Sequence, residues 1–131
     1  MVERTTASFE EFVGKVENIL LEDSMYEGES FKQYHLMLKP KDKEIKGKTG
    51  QIHEWIKISP KTTDTSVPEG SILDRYLQQI EILFAEAKQK QSHIEAMQLL
   101  IGKSFKFKKI KLGQSYEGKE AKMYWTPVGL A

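Results

Sequence analysis

Residues 49–59 constrain the fold most, because their side chains change character with a period of two. On a β-strand, such residues point alternately to opposite faces. One face would carry Ile52, Glu54, Ile56 and Ile58, and the other His53, Trp55 and Lys57. Three isoleucines with one polar exception, Glu54, are typical of a buried face. The pattern therefore predicts that Trp55 projects from the solvent side, unless the next helix or a loop covers it.

The composition predicts one globular domain that spans residues 1–131, with residues 1–8 as a flexible lead-in. Hydrophobic residues make up 39% of the chain and charged residues 30%, a balance typical of folded proteins. The chain contains no apolar run of about 18 residues, so we expect no membrane-spanning helix. It contains no cysteine, which excludes disulfides and thiol catalysis and fits the cytoplasm.

Five segments have the alternation or β-forming composition of strands. The predicted strands cover about residues 11–21, 31–38, 49–59, 103–112 and 121–126. In the first strand, Phe12, Val16 and Leu20 are predicted to share a face. Gly14 lies inside this strand, where glycine commonly marks a bulge or a sharp bend. Helical spacing of the apolar residues 9–16 leaves a helix open as an alternative there. The segment at 22–30 is predicted to be a turn, and Pro127 to end the last strand.

A helical insertion is predicted at about residues 67–101, between the third and fourth strands. Apolar residues recur at intervals of three and four up to about Lys90. Ser66 and Ser71 are alternative N-caps for this helix. A second capping serine, Ser92, predicts a short helix that stops at Gly102, although one kinked helix is also consistent with the pattern.

This element order is that of the OB-fold, a five-stranded β-barrel. Three short segments are similar to members of that group: FVGKVENI at 12–19, GK at 102–103 and YWTP at 124–127. The chain resembles OB-fold single-stranded-DNA-binding proteins, in particular the compact single-domain proteins of phages and archaea. The resemblance implies a mostly β fold that closes into a five-stranded barrel. If a phage encodes the chain, its compartment would be the host-cell cytoplasm.

The distribution of cations and rings supports nucleic-acid binding more than the net charge of +1 does. Lysines that follow a phosphate chain, next to rings that stack on bases, allow a protein to bind single strands without reading sequence. The candidate nucleic-acid-binding residues are Phe31, His35, Lys41, Lys43, Lys46, Lys48, His53, Trp55, Lys57, Lys106, Lys108 and Tyr124. We therefore expect a protein that binds single-stranded DNA during replication or recombination.

Other aromatic residues are assigned by the residues with which they alternate. Phe105 and Phe107 share a face and are predicted to lie in the core, as is Tyr34. Tyr124 alternates with polar neighbours and is predicted to be exposed, whereas the position of Trp125 stays open.

Nothing in the chain forms a recognisable catalytic constellation, so we expect no enzyme activity and no cofactor. His35 and His53 would be neighbours if the second and third strands pair. They supply two nitrogen ligands at most, which does not predict a metal site. His93, at a helix start, is expected to be solvated.

Alternative functions remain open at this point, because a fold does not determine its function. The same barrel could present Trp55, His35 and Met37 to a protein partner or to a second copy of the chain. It could also bind RNA, or the chain could be a small enzyme or ligand-binding α+β domain. The expected partners are single-stranded DNA, replication or recombination proteins and, in a homo-oligomer, the chain itself.

Overall fold

A computed structural model of the protein describes residues 11–41, 50–113 and 122–131. The protein is mostly β, with one five-stranded antiparallel sheet and short helices. Its elements are β1 (Glu11–Tyr26), β2 (Glu29–Pro40), β3 (Ile52–Ile58), α1 (Ile72–Leu83), a 3₁₀ helix (Ala85–Gln89), α2 (His93–Gln98), β4 (Ser104–Lys111) and β5 (Met123–Leu130). The predicted order of strands and helices is confirmed. None of the described helices is long and apolar enough to cross a membrane.

The central strand β1 joins the two halves of the sheet, whose strand order is β3-β2-β1-β4-β5. Its residues 11–15 pair with β4, and its residues 14–26 pair with β2. Gly14 and Lys15 are the positions that pair on both sides. This is the point at which the sheet passes from one pair of partners to the other.

The bulge in β1 lies at Glu17, between Val16 and Asn18, and not at the predicted Gly14. One extra residue reverses the alternation of the strand. The buried positions therefore change from Phe12 and Val16 before the bulge to Ile19 after it. Leu20 was predicted to share a face with Phe12 and Val16, but it is 40% exposed, whereas they are buried.

Gly14 permits a close approach of strands. A Cβ atom at this position would lie 2.8 Å from the backbone oxygen of Lys39 and 2.7 Å from the ring of Phe12. The backbone oxygen belongs to the β1–β2 ladder and cannot move without disturbing the pairing. Any side chain here would push β2 away from β1.

We expect Gly14→Ala to lower the free energy of unfolding by about 1–3 kcal/mol, the usual cost of overpacking. Gly129→Ala is the matched control, because a Cβ there would meet its nearest neighbour, the Cβ of Lys106, at 3.9 Å. Urea melts of both variants measure the difference. Equal stabilities would show that the close approach at Gly14 is not a constraint.

Three of the strands, β1, β2 and β5, are longer than the sequence predicted, whereas β3 and β4 are slightly shorter. The turn predicted at 22–30 lies within that segment but is much shorter, because β1 and β2 continue to a two-residue loop of Glu27 and Gly28. Both loop residues have positive φ, 51° and 82°, as the tightest hairpins require. β5 continues through Pro127 to Leu130. Proline is tolerated there because β5 is an edge strand and its ladder shifts register next to Pro127.

The helices begin at capping serines but end early. The later of the two predicted starts is confirmed, since the side chain of Ser71 accepts a hydrogen bond from the Asp74 N–H at 3.2 Å. α1 ends at Leu83, so the prediction that it continues to about Lys90 is wrong. Ser92 caps α2 by accepting from the Ile94 N–H, which makes α2 a separate helix.

The core lies between the inner face of the sheet and the helices. Tyr34, Phe105 and Phe107 are buried in it, as predicted. The prediction of an exposed Tyr124 is wrong: Tyr124 is 7% exposed and its neighbour Trp125 is 6% exposed. Adjacent strand residues point to opposite faces, so β5 is covered on both sides. A strand buried on both faces gives no alternation to detect.

A buried carboxylate connects the two edge strands, β3 and β5, and a buried hydroxyl connects α1 to β5. Glu54 on β3 accepts a hydrogen bond from the Trp125 N–H of β5 at 2.7 Å and another from the Trp55 N–H at 3.1 Å. Tyr76 of α1 donates its hydroxyl to the Trp125 carbonyl at 3.1 Å. Among the described residues, β3 and β5 share no ladder. We call these contacts of Glu54 and Tyr76 the side-chain clasp.

The pKa of the Glu54 carboxyl is raised above its ordinary value of 4.5 by burial, which the Trp125 N–H, Lys122 and the Trp55 N–H oppose. The folded protein therefore holds this proton more tightly than the unfolded chain does. The contribution of Glu54 to stability is greatest below pH 4.5 and falls as the pH rises through the raised pKa.

Glu54→Gln should remove this pH dependence, because glutamine does not titrate. In urea melts between pH 4 and pH 8, we expect the native protein to lose stability relative to the variant as the pH rises above 4.5. Glu95→Gln, at an exposed position of α2, is the control and should follow the native protein. Parallel curves for the native protein and Glu54→Gln would contradict a raised pKa.

Candidate nucleic-acid interface

Trp55 projects from the outer face of the sheet, as the alternation of β3 predicts. Glu54, Ile56 and Ile58 are buried, whereas Trp55 is 41% exposed. Because its neighbours on both sides of the chain point into the core, the indole is displayed away from it.

Trp55 belongs to a group of three stacked rings, which we call the ring cluster. The register of β2 and β3 places His35 directly opposite Trp55. The two rings stack, with centroids 4.8 Å apart and planes inclined by 18°. His53 is nearly parallel to Trp55, with its centroid 5.7 Å away. The predicted proximity of the two histidines is confirmed: His35 Nε2 lies 2.7 Å from His53 Nδ1.

A carboxylate on the central strand fixes the orientation of the cluster. Glu22 of β1 lies 3.0 Å from His35 Nδ1 and also accepts a hydrogen bond from Gln33 at 3.4 Å. With both imidazoles neutral, His35 donates through Nδ1 to Glu22 and accepts through Nε2 from His53. The His35 ring is therefore held from two sides. A ring held in place before a ligand arrives loses little conformational freedom on binding.

A cation and a further ring lie beside the cluster on the same face. The Nζ of Lys57 sits over the ring of Phe31, 4.6 Å from its centroid. Phe31 is half-buried, and its position on β2 alternates in phase with His35. The structure thus brings together five of the predicted residues on one face: Phe31, His35, His53, Trp55 and Lys57.

The remaining predicted residues do not join this group. Lys106 and Lys108 are exposed on β4, which is three strands from β3 and so roughly 14 Å away along the sheet. Tyr124 is buried and cannot stack on a ligand. Lys41 follows the end of β2. The predicted contacts Lys43, Lys46 and Lys48 lie outside the described residues.

Two residues have roles that the sequence did not predict. Glu22 was assigned to a turn, yet it lies in β1 and anchors the ring cluster. His93 was expected to be solvated, yet it is buried and shares a hydrogen bond with the Tyr34 hydroxyl. Burial lowers the pKa of His93, against opposing effects of Asp64 and the Thr63 backbone. The contact of His93 fastens α2 to the sheet, so it is structural.

The chemistry on this face is suited to binding planar groups. In the ranges that the structure describes, no three histidine, aspartate or glutamate side chains form a group that could hold a metal ion. Comparisons with protein families, curated proteins and solved structures give no match for this chain. The interpretation of the site therefore depends on its own geometry.

The two tryptophans offer a matched test of this geometry. Trp55→Ala should lower the free energy of unfolding by less than about 1.5 kcal/mol. This limit is the stabilisation that an aromatic pair contributes in addition to the burial of its surface. Trp125→Ala should cost about 3–5 kcal/mol, since it empties a buried site. Urea melts of both variants provide the comparison. If the two losses are equal, Trp55 is a structural residue.

Proposed function

We propose that this protein binds single-stranded DNA with little sequence preference, supports replication or recombination in the cytoplasm, and performs no catalysis. The observation that carries the proposal is the exposed indole of Trp55, stacked on His35 at the centre of the ring cluster. A ring that is both exposed and held in position is suited to stacking on a base.

We propose further that the fold is an OB-fold barrel. The strand order β3-β2-β1-β4-β5 supports this, because it is the order of an OB-fold barrel cut between its third and fifth strands. The hydrogen bond from the Trp125 N–H to Glu54, part of the side-chain clasp, connects the two edges that such a barrel brings together. In OB-folds, the outer face of the second and third strands binds oligonucleotides, and the ring cluster lies on that face here.

The physical basis of the proposed binding is stacking assisted by charge. A stacked base contributes on the order of 1–3 kcal/mol, and the contact tolerates any sequence because every base has a π-face. Lys57 supplies a cation on the same face, next to Phe31. A cation beside two rings would favour the phosphates that link successive stacked bases.

We expect a fluorescent oligo-dT to bind the native protein at low salt, with an affinity that falls by about 0.7 log units per log unit of salt for each phosphate contact. Trp55→Ala should weaken binding by roughly 5- to 150-fold, which corresponds to one stacked base. Ile82→Ala, on the 74%-exposed Ile82 of α1, is the control and should bind like the native protein.

A parallel titration with oligo-U distinguishes DNA from RNA as the ligand. Tighter binding of oligo-U would reassign the protein to RNA. The proposal fails if the native protein binds neither oligonucleotide at low salt, or if Trp55→Ala and Ile82→Ala bind equally well. Failure of that kind, with Trp55 still exposed, would favour a protein partner for the ring cluster.

A further inference from the structure

A cleft of about 470 Å³ opens where β1 changes partners. Its lining includes Lys15, Lys39, Lys41 and Ser104, together with Val13 and the carboxylate-bearing last residue, Ala131. The side chains that alternate with these lysines, among them Val16 and Leu38, are buried in the core. The lysines of the cleft therefore lie on the outer face of the sheet, which is also the face of the ring cluster.

Two cleft lysines face each other across the ladder of β1 and β2. Lys15 of β1 and Lys39 of β2 are direct partners in the ladder. Like charges placed opposite each other destabilise a strand pair. In the part of the chain that the structure describes, no carboxylate lies within 4.0 Å of the Nζ of Lys15, Lys39 or Lys41. An anion in the cleft would remove the repulsion.

The cleft and the ring cluster lie on the same face of one strand, β2. His35 and Lys39 occupy the same face of β2, four residues and therefore about 13 Å apart. Lys41 follows with the same alternation, and its N–H donates to the Val13 carbonyl at 2.8 Å. The outer face of β2 thus carries aromatic rings at one end and lysines at the other. On the far side of β1, Lys106 lies opposite Val13.

We infer that this cleft binds the phosphate chain of a single strand whose bases stack on the ring cluster. The inference rests on the proposed function and deepens it, because it assigns the bases and the phosphates to different ends of β2. Lys15, Lys39 and Lys41 supply the cations. The strand would run along the outer face of β2 towards the point at which β1 changes partners.

The first experiment measures the salt dependence of oligo-dT binding in three variants. In the double variant Lys15→Gln, Lys39→Gln, the logarithm of the association constant should fall less steeply with the logarithm of the salt concentration. The magnitude of the negative slope should decrease by about 1.4, which corresponds to two lost phosphate contacts. Trp55→Ala should weaken binding and leave the slope unchanged. The control, Lys88→Gln with Lys90→Gln, changes exposed residues that follow α1 and should leave both affinity and slope unchanged.

The double variant is expected to fold, because both positions are exposed and the change removes a repulsion. Its melting temperature should equal or exceed that of the native protein. A lower melting temperature would mean that the lysine pair has a structural role, and would overturn the inference.

The second experiment uses inorganic tripolyphosphate, which presents phosphates without bases. Amide chemical shifts of Gly14, Lys15 and Lys39 should move in the native protein and stay fixed in the double variant. Shifts at these residues without oligonucleotide binding would support the cleft and overturn the proposed function. Oligonucleotide binding with an unchanged salt slope in the double variant, and no shifts with tripolyphosphate, would overturn the cleft and leave the proposed function standing.

Discussion

The hydrogen bond from the Trp125 N–H to the buried carboxylate of Glu54 joins the two edges of the sheet, and the display of the ring cluster depends on it. A buried carboxylate is costly unless its oxygens are hydrogen-bonded. Glu54 meets this requirement by accepting from β5 with one oxygen and from the Trp55 N–H with the other. Because Glu54 must point inwards to reach β5, its neighbour Trp55 must point outwards. The interaction that connects β3 to β5 therefore also sets the face on which the indole appears.

The outer face then divides into regions with different chemistry. The register of β2 and β3 stacks His35 on Trp55, and Glu22 reaches across from β1 to orient the histidine. At the other end of β2, the pairing of Gly14 and Lys15 with two strands at once gathers lysines around a cleft. Rings that are held in place favour stacking, whereas flexible lysines follow a phosphate chain.

Local periodicity predicted the parts of this arrangement that depend on one strand at a time. The alternation of residues 52–58 predicted the exposure of Trp55, and pairing of adjacent strands predicted the contact of His35 with His53. Features that depend on distant partners were missed. The bulge at Glu17 reverses the faces of β1 without a glycine to mark it. Tyr124 is buried because β5 is covered on both faces, and the Glu54 bond to β5 joins residues 71 positions apart.

Photocrosslinking tests the central claim, that the outer face of β2 and β3 binds single-stranded DNA, most directly. Oligo-dT with one 5-iododeoxyuridine would be irradiated in complex with the native protein, and the modified peptide identified by mass spectrometry. Since the iodinated base reacts with an aromatic side chain against which it stacks, we expect an adduct on Trp55 or on the adjoining His53. An adduct confined to the α1–α2 region, or a bound oligonucleotide that forms no adduct with β2 or β3, would contradict it.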